Sequence, residues 1–187
     1  MAYNNLSGSL PELGNCSELR YMEFGYSSLI SGAIWESFEA TASELSDLQR
    51  TGNKLDELGN LTSLRDIYLN SNNLTGPIFW DSASAVSCSC RNLTDMSLNV
   101  NRLEGSIPAI FAQLENLEYV DLSDNALTGA IPPELGNCIR LNRVYLGNNR
   151  LTGRLPEELA RLSNVTSVWL YSNSPKGRIL TSLGRMM

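Results

Sequence analysis

Apolar positions in this chain recur as a fixed phrase, longer than either a helical or an alternating period. In one copy Leu117, Val120 and Leu122 lead to Asn125, and Leu127, Gly129, Ile131 and Pro132 complete it. Leu141 to Pro156 repeats the phrase without a gap, and Val165 to Ile179 does so again. Upstream, Leu93 to Pro108 fits it around Asn101 and Leu64 to Ile78 around Asn72. The asparagines at 101, 125, 149 and 173 stand 24 residues apart. Weaker copies lie around Asn4, around Ser27 (with Leu19, Met22, Phe24 and Leu29) and around Asn53 (with Leu45, Leu48 and Leu55). Residues 1–187 therefore read as a single repeat domain of about eight units.

Each feature of the phrase has a physical cause. Val120 and Leu122 alternate as in a strand with one buried face. Such a strand cannot bury that face alone, so copies must stack, each against its neighbours. The asparagine amide carries both an acceptor and donors, which suits it to backbone groups in a turn that water cannot reach. The glycine permits a close approach or an unusual backbone angle. The proline stops pairing, and Pro-Glu-Leu-Gly opens a short helical turn on the outer side.

Two spacings depart from the rule. Asn53 and Asn72 are 19 apart, because Leu55 to Leu58 skips the Thr-Gly-x-Ile-Pro element; Asn72 and Asn101 are 29 apart, with the excess in Phe79 to Cys90. Irregular loops are expected at 30–60 and 79–91.

Composition narrows the chemistry. The net charge is −6, and the 12 arginines and 2 lysines are scattered, so no basic stripe exists for nucleic acid or an anionic bilayer. There is no histidine, hence neither the commonest general base nor the commonest metal ligand. Phosphate-loop, Ser–His and Cys–His patterns are missing as well, so neither a catalytic site nor a metal or other cofactor is expected. Asp95 and Asp121 are acidic neighbours on adjacent strands and read as solvated charges rather than a carboxylate pair for catalysis. Cys16 and Cys138 share the phrase Leu-Gly-Asn-Cys and read as small buried thiols; Cys88 and Cys90 stay ambiguous. No leader segment or apolar run of membrane-spanning length is visible.

The phrase LxxLxLxxNxLxGxIPxxLGN resembles the plant-type extracellular leucine-rich repeat of receptor-like kinases and receptor-like proteins, and also polygalacturonase-inhibiting proteins. The resemblance implies an α/β leucine-rich-repeat solenoid, right-handed, with a parallel concave sheet and short helices or turns on the convex side. A second short strand from Leu-x-Gly-x-Ile is expected beside it. The cysteine-bearing caps of that family are missing at both ends, so the chain reads as an excerpt of a longer protein at the cell surface or outside it. Its function would be to bind a protein or peptide ligand, or a co-receptor ectodomain, without touching the membrane itself. Two alternatives are an inhibitor of a cell-wall-degrading enzyme and a degenerate scaffold without ligand.

In such a solenoid the residues between the inward positions form rows on the concave face. The first holds Tyr21, Asp66, Asp95, Tyr119, Arg143 and Ser167. The second holds Glu23, Tyr68, Ser97, Asp121, Tyr145 and Trp169, and the third Gly25, Asn70, Asn99, Ser123, Gly147 and Tyr171. Tyr119, Asp121, Arg143, Tyr145, Trp169 and Tyr171 gather toward one end, a composition typical of binding hot spots. Sequons at Asn5, Asn15, Asn60, Asn73, Asn92 and Asn164 are candidate glycosylation sites in a secreted parent, although the repeat phrase itself forces several of them.

Overall fold

The computed structural model describes residues 7–8, 18–25, 29–33, 63–78 and 90–177. The expected stack of rungs is present. Strands are numbered along the chain. The even-numbered ones are β2 (Tyr21–Glu23), β4 (Asp66–Tyr68), β6 (Asp95–Ser97), β8 (Tyr119–Asp121), β10 (Arg143–Tyr145) and β12 (Ser167–Trp169). They form one parallel sheet in the order β2-β4-β6-β8-β10-β12. The odd-numbered strands come from the Leu-x-Gly segments: β1 (Ser7–Gly8), β3 (Leu29–Ala33), β5 (Asn73–Pro77), β7 (Arg102–Glu104), β9 (Thr128–Ala130) and β11 (Arg150–Thr152). They run as a second parallel ladder, β1-β3-β5-β7 and then β9-β11, with Ser106 bridging to Thr128 between the two parts.

Short 3-10 turns close the outer side at Ala109–Gln113, Pro133–Asn137 and Glu157–Arg161. Each follows a proline in extended conformation, Pro108, Pro132 or Pro156. A residue without an N–H leaves no unpaired donor where the ladder stops.

The core is the inward half of the phrase. Leu117, Val120, Leu122, Leu127, Ile131 and Leu135 are all buried, as are Leu141, Val144, Leu146 and Leu151 in the next rung. Each such side chain contributes about 1.5–3 kcal/mol by leaving water. Neighbouring rungs are needed for that burial. Val144 is 2% exposed between two neighbours, whereas Val168, in the last described rung, is 37% exposed.

An asparagine ladder threads the turns. Asn149 donates from Nδ2 to its own rung's Leu146 and Gly147 carbonyls and to Leu122 of the rung before, at 2.9–3.2 Å. Its Oδ1 accepts from the Leu127 N–H at 3.0 Å. Asn101, Asn125 and Asn173 make equivalent bonds. The residue before each asparagine takes a left-handed φ of 50–57°, as does Val100. The phrase glycines at 76, 105, 129, 153 and 177 have φ of 78–98°, the unusual angle their position implied.

One of the weaker copies is corrected by the register. Tyr21 pairs directly with Asp66, and Asn72 Nδ2 donates to the Phe24 carbonyl at 2.7 Å, so β2 and β4 are direct neighbours; the unit read around Asn53 lies outside the described residues. The unit around Ser27 is shifted by one residue in its second half. Gly8 pairs with Ile30 just as Gly76 pairs with Leu103, so Ile30 rather than Leu29 holds the leucine position. Met22 lies ten residues before Gly32, whereas Ile67 lies nine before Gly76. Asn72 Oδ1, at the rung after this unit, is buried without a hydrogen-bond partner among the described residues. Of the two irregular segments, 34–62 and 79–89 lie outside the described residues; 30–33 belong to β3, and Cys90 and Arg91 to a 3-10 turn.

Candidate functional site

The sheet register aligns the rows as the alternation implied. Asp66 stands beside Asp95, Asp95 beside Tyr119, Tyr119 beside Arg143 and Arg143 beside Ser167. Tyr68, Ser97, Asp121, Tyr145 and Trp169 align in the same way. The third row continues through backbone bonds such as Asn148 N–H to the Tyr171 carbonyl at 2.9 Å.

Four of the six candidate binding residues form one aromatic run. Tyr119 meets Tyr145 edge-on at 5.7 Å, Tyr145 stacks on Trp169 at 4.2 Å and 19°, and Trp169 lies 6.3 Å from Tyr171. The Tyr145–Trp169 stacking distance is close to the spacing of adjacent strands, so these two rings stack along the row, while Tyr119 and Tyr171 meet them at 81° and 53°. That arrangement suits hydrogen bonding and apolar contact with an extended chain. Trp169 and Tyr171 are each about half exposed.

Arg143 places its guanidinium carbon 4.8 Å from the centre of the Tyr119 ring, a cation–π contact within the site. Gly147 sits under Tyr171, and a β-carbon there would lie 2.7 Å from the ring. Any larger residue would push Tyr171 out of the run.

Asp121 differs from its expected place. It is 7% exposed; its Oδ1 accepts from the Ser123 N–H at 3.0 Å and the Ser123 hydroxyl at 2.6 Å. Its Oδ2 accepts from the Tyr119 hydroxyl at 3.1 Å. It is neither a solvated charge nor a free contact; it orients Tyr119. Burial, and then this carboxylate, hold the Tyr119 phenol above its usual pKa.

The opposite end of the face was not singled out by composition, yet it is distinctive. Tyr21 and Tyr68 lie 5.8 Å apart around the Asp66 strand, and Tyr21 is 54% exposed. Burial first, then the Asp95 and Asp66 charges, push the Tyr68 phenol up to about 12. Asp95 is likewise raised, chiefly by burial, while a bond from Thr94 and the charge of Arg143 oppose the shift. Row register was the signal that could have identified this end, because it juxtaposes Asp66 and Asp95.

Among the sequons, Asn92 and Asn164 are exposed, and Asn164 Nδ2 donates to the Ile139 carbonyl at 3.0 Å. Asn73 is half-buried within β5; Asn5, Asn15 and Asn60 lie outside the described residues. Cys138 is a buried free thiol donating to the Phe111 carbonyl at 3.0 Å, with its pKa raised to about 12 by burial. Cys16 and Cys88 also lie outside the described residues. Among the described residues no cluster of His, Cys, Asp and Glu could hold a metal ion, and no helix is long and apolar enough to cross a membrane.

The "Leucine rich repeat" family model matches residues 91–151. No curated protein matches the chain by sequence. Solved structures do match. The ectodomain of the Arabidopsis thaliana receptor kinase GASSHO1/SCHENGEN3, in complex with CASPARIAN STRIP INTEGRITY FACTOR 2, is 28% identical with a TM-score of 0.78. That match covers 100% of this chain and 19% of the receptor chain. The Arabidopsis receptor kinase HAESA, in complex with the peptide hormone IDA and the co-receptor SERK1, is 28% identical with a TM-score of 0.74, covering 95% of this chain and 26% of that one. A chain of the Arabidopsis thaliana BIR3–SERK2 complex is 36% identical over 52% of this chain and 54% of its own length, with a TM-score of 0.50. The chain thus spans about a fifth to a half of the length of these relatives.

Proposed function

We propose, from the premise that the chain is a leucine-rich-repeat solenoid of the plant extracellular type, that it binds a protein or peptide ligand along the open face of its six-stranded sheet. The reading places it within the extracellular part of a receptor, with no catalytic role of its own. The observation that carries it is the continuous run Tyr119–Tyr145–Trp169–Tyr171, partly exposed on a sheet face that no element of the described chain covers. Large aromatic side chains with Arg143 among them supply contact area at low conformational cost. Among the proteins it resembles, the receptor kinase HAESA was solved with the peptide hormone IDA and the co-receptor SERK1, which supports the same class of partner here. Arg143, Tyr145, Trp169 and Tyr171 are assigned to direct contact, with Tyr119 and Asp121 positioning them.

The test is capture of short peptides from a random library by the purified chain, followed by titration calorimetry on Trp169→Ala and Tyr145→Ala. Each substitution is expected to weaken binding at least about tenfold, the behaviour of a hot-spot aromatic. Unchanged affinity in both would place the site elsewhere. Glycans are assigned to the exposed Asn92 and Asn164. Secretion from plant cells followed by enzymatic deglycosylation should shift the mass of peptides carrying them, and an unshifted mass would remove that assignment.

A further inference from the structure

We propose, resting on the ligand-binding reading above, that the occupant of the open face is an extended segment with a basic residue over Asp66 and Asp95 and an apolar residue against Trp169 and Tyr171, about five residues further along. The occupant follows from charge complementarity across an uncovered sheet. The three rows carry four carboxylates, Glu23, Asp66, Asp95 and Asp121, against one cation, Arg143. Arg143 is held over Tyr119, and Asp121 is buried and saturated with donors. Of the three remaining carboxylates, Glu23 takes the Tyr21 hydroxyl at 2.8 Å and Asp66 takes the Thr94 hydroxyl at 2.9 Å, both neutral donors. No basic group among the described residues pairs with any of them.

Asp66 and Asp95 are also directly opposite in register. Like charges so placed weaken a sheet, and a cation between them would turn that cost into attraction. Tyr21 stands opposite Asp66 in register and Tyr68 shares its strand, and together with the carboxylates these rings suit an ammonium or guanidinium group. At the far end the half-exposed rings of Trp169 and Tyr171 offer apolar contact instead. From midway between β4 and β6 to β12 is three and a half strand spacings, roughly 17 Å at ~4.8 Å each, which an extended chain at ~3.3 Å per residue spans in about five residues. The segment therefore runs across the strands, along the length of the solenoid.

The experiment uses the whole chain and a displayed library of random peptides of roughly ten residues. Captured sequences are expected to be enriched in Lys or Arg about five positions from an aromatic or aliphatic residue. The double variant Asp66→Asn with Asp95→Asn should bind such peptides at least about tenfold more weakly and lose the basic enrichment, while its melting temperature holds or rises. The same peptides should dissociate more readily as salt is raised. Peptides captured with no basic preference, or a preference unchanged in the double variant, would overturn the inference and leave the ligand-binding reading intact. Capture of no peptide at all would remove both.

Discussion

At the scale of single residues, the asparagine at the end of each strand carries the most specific physics. Its amide closes donors and acceptors from two rungs at once, so its removal strands several backbone groups that water cannot reach. Asn149→Ala should lose about 3 kcal/mol or more in urea unfolding, since three carbonyls and the Leu127 N–H lose their partner. Asn72→Ala should cost clearly less, because Asn72 Oδ1 already has no partner. Equal losses at the two positions would show that the extra residue before Gly32 does not break the ladder. Positions 149 and 72 look alike in the sequence; what separates them is a one-residue offset in the unit before Asn72, and only strand register exposes it. Asp121 was misread for a related reason. Alternation assigns a side to each residue, but it does not tell that Ser123 and Tyr119 will enclose the carboxylate.

At the scale of the strand, pairing register converts a list of side chains into neighbours. The rows were legible from the sequence because a parallel stack with a fixed repeat leaves no freedom in which residue meets which. The register of the weak unit around Ser27 was not legible, since one extra residue between Met22 and Gly32 brings Ile30 rather than Leu29 to the leucine position. The Asp66–Asp95 pair makes the strand scale testable. Asp95 has its pKa raised above the ordinary value of 3.8, so the folded state binds the extra proton and stability falls as pH rises through that shifted range. The penalty is then fully present at neutral pH. Asp95→Asn should raise the melting temperature at pH 7, with the gain vanishing below the ordinary carboxylate range. In the same variant the Tyr68 phenol, held at about 12, should titrate lower by absorbance because one of the charges opposing its ionisation is gone. A lower melting temperature at pH 7 would mean that the carboxylate is anchored by attraction rather than crowded by its neighbour. Arg143, Glu118 and Tyr68 also face Asp95, and Arg143 alone of these opposes the upward shift.

At the scale of the whole molecule, the account rests on one face being reserved for a partner. The stack buries its leucines on one side of the sheet and closes its outer side with proline-led turns, which leaves three rows of side chains that no element among the described residues covers. Hydroxyl-radical footprinting with and without a captured library peptide tests this most directly. Tyr21, Trp169 and Tyr171 are 54%, 49% and 51% exposed, and Ile139, beyond the Pro133–Asn137 turn, is 58% exposed and serves as the control away from the face. All four should be oxidised in the free protein; on binding, Trp169 and Tyr171 should be protected while Ile139 is unchanged. Protection of Ile139 with Trp169 and Tyr171 unaffected would contradict the account.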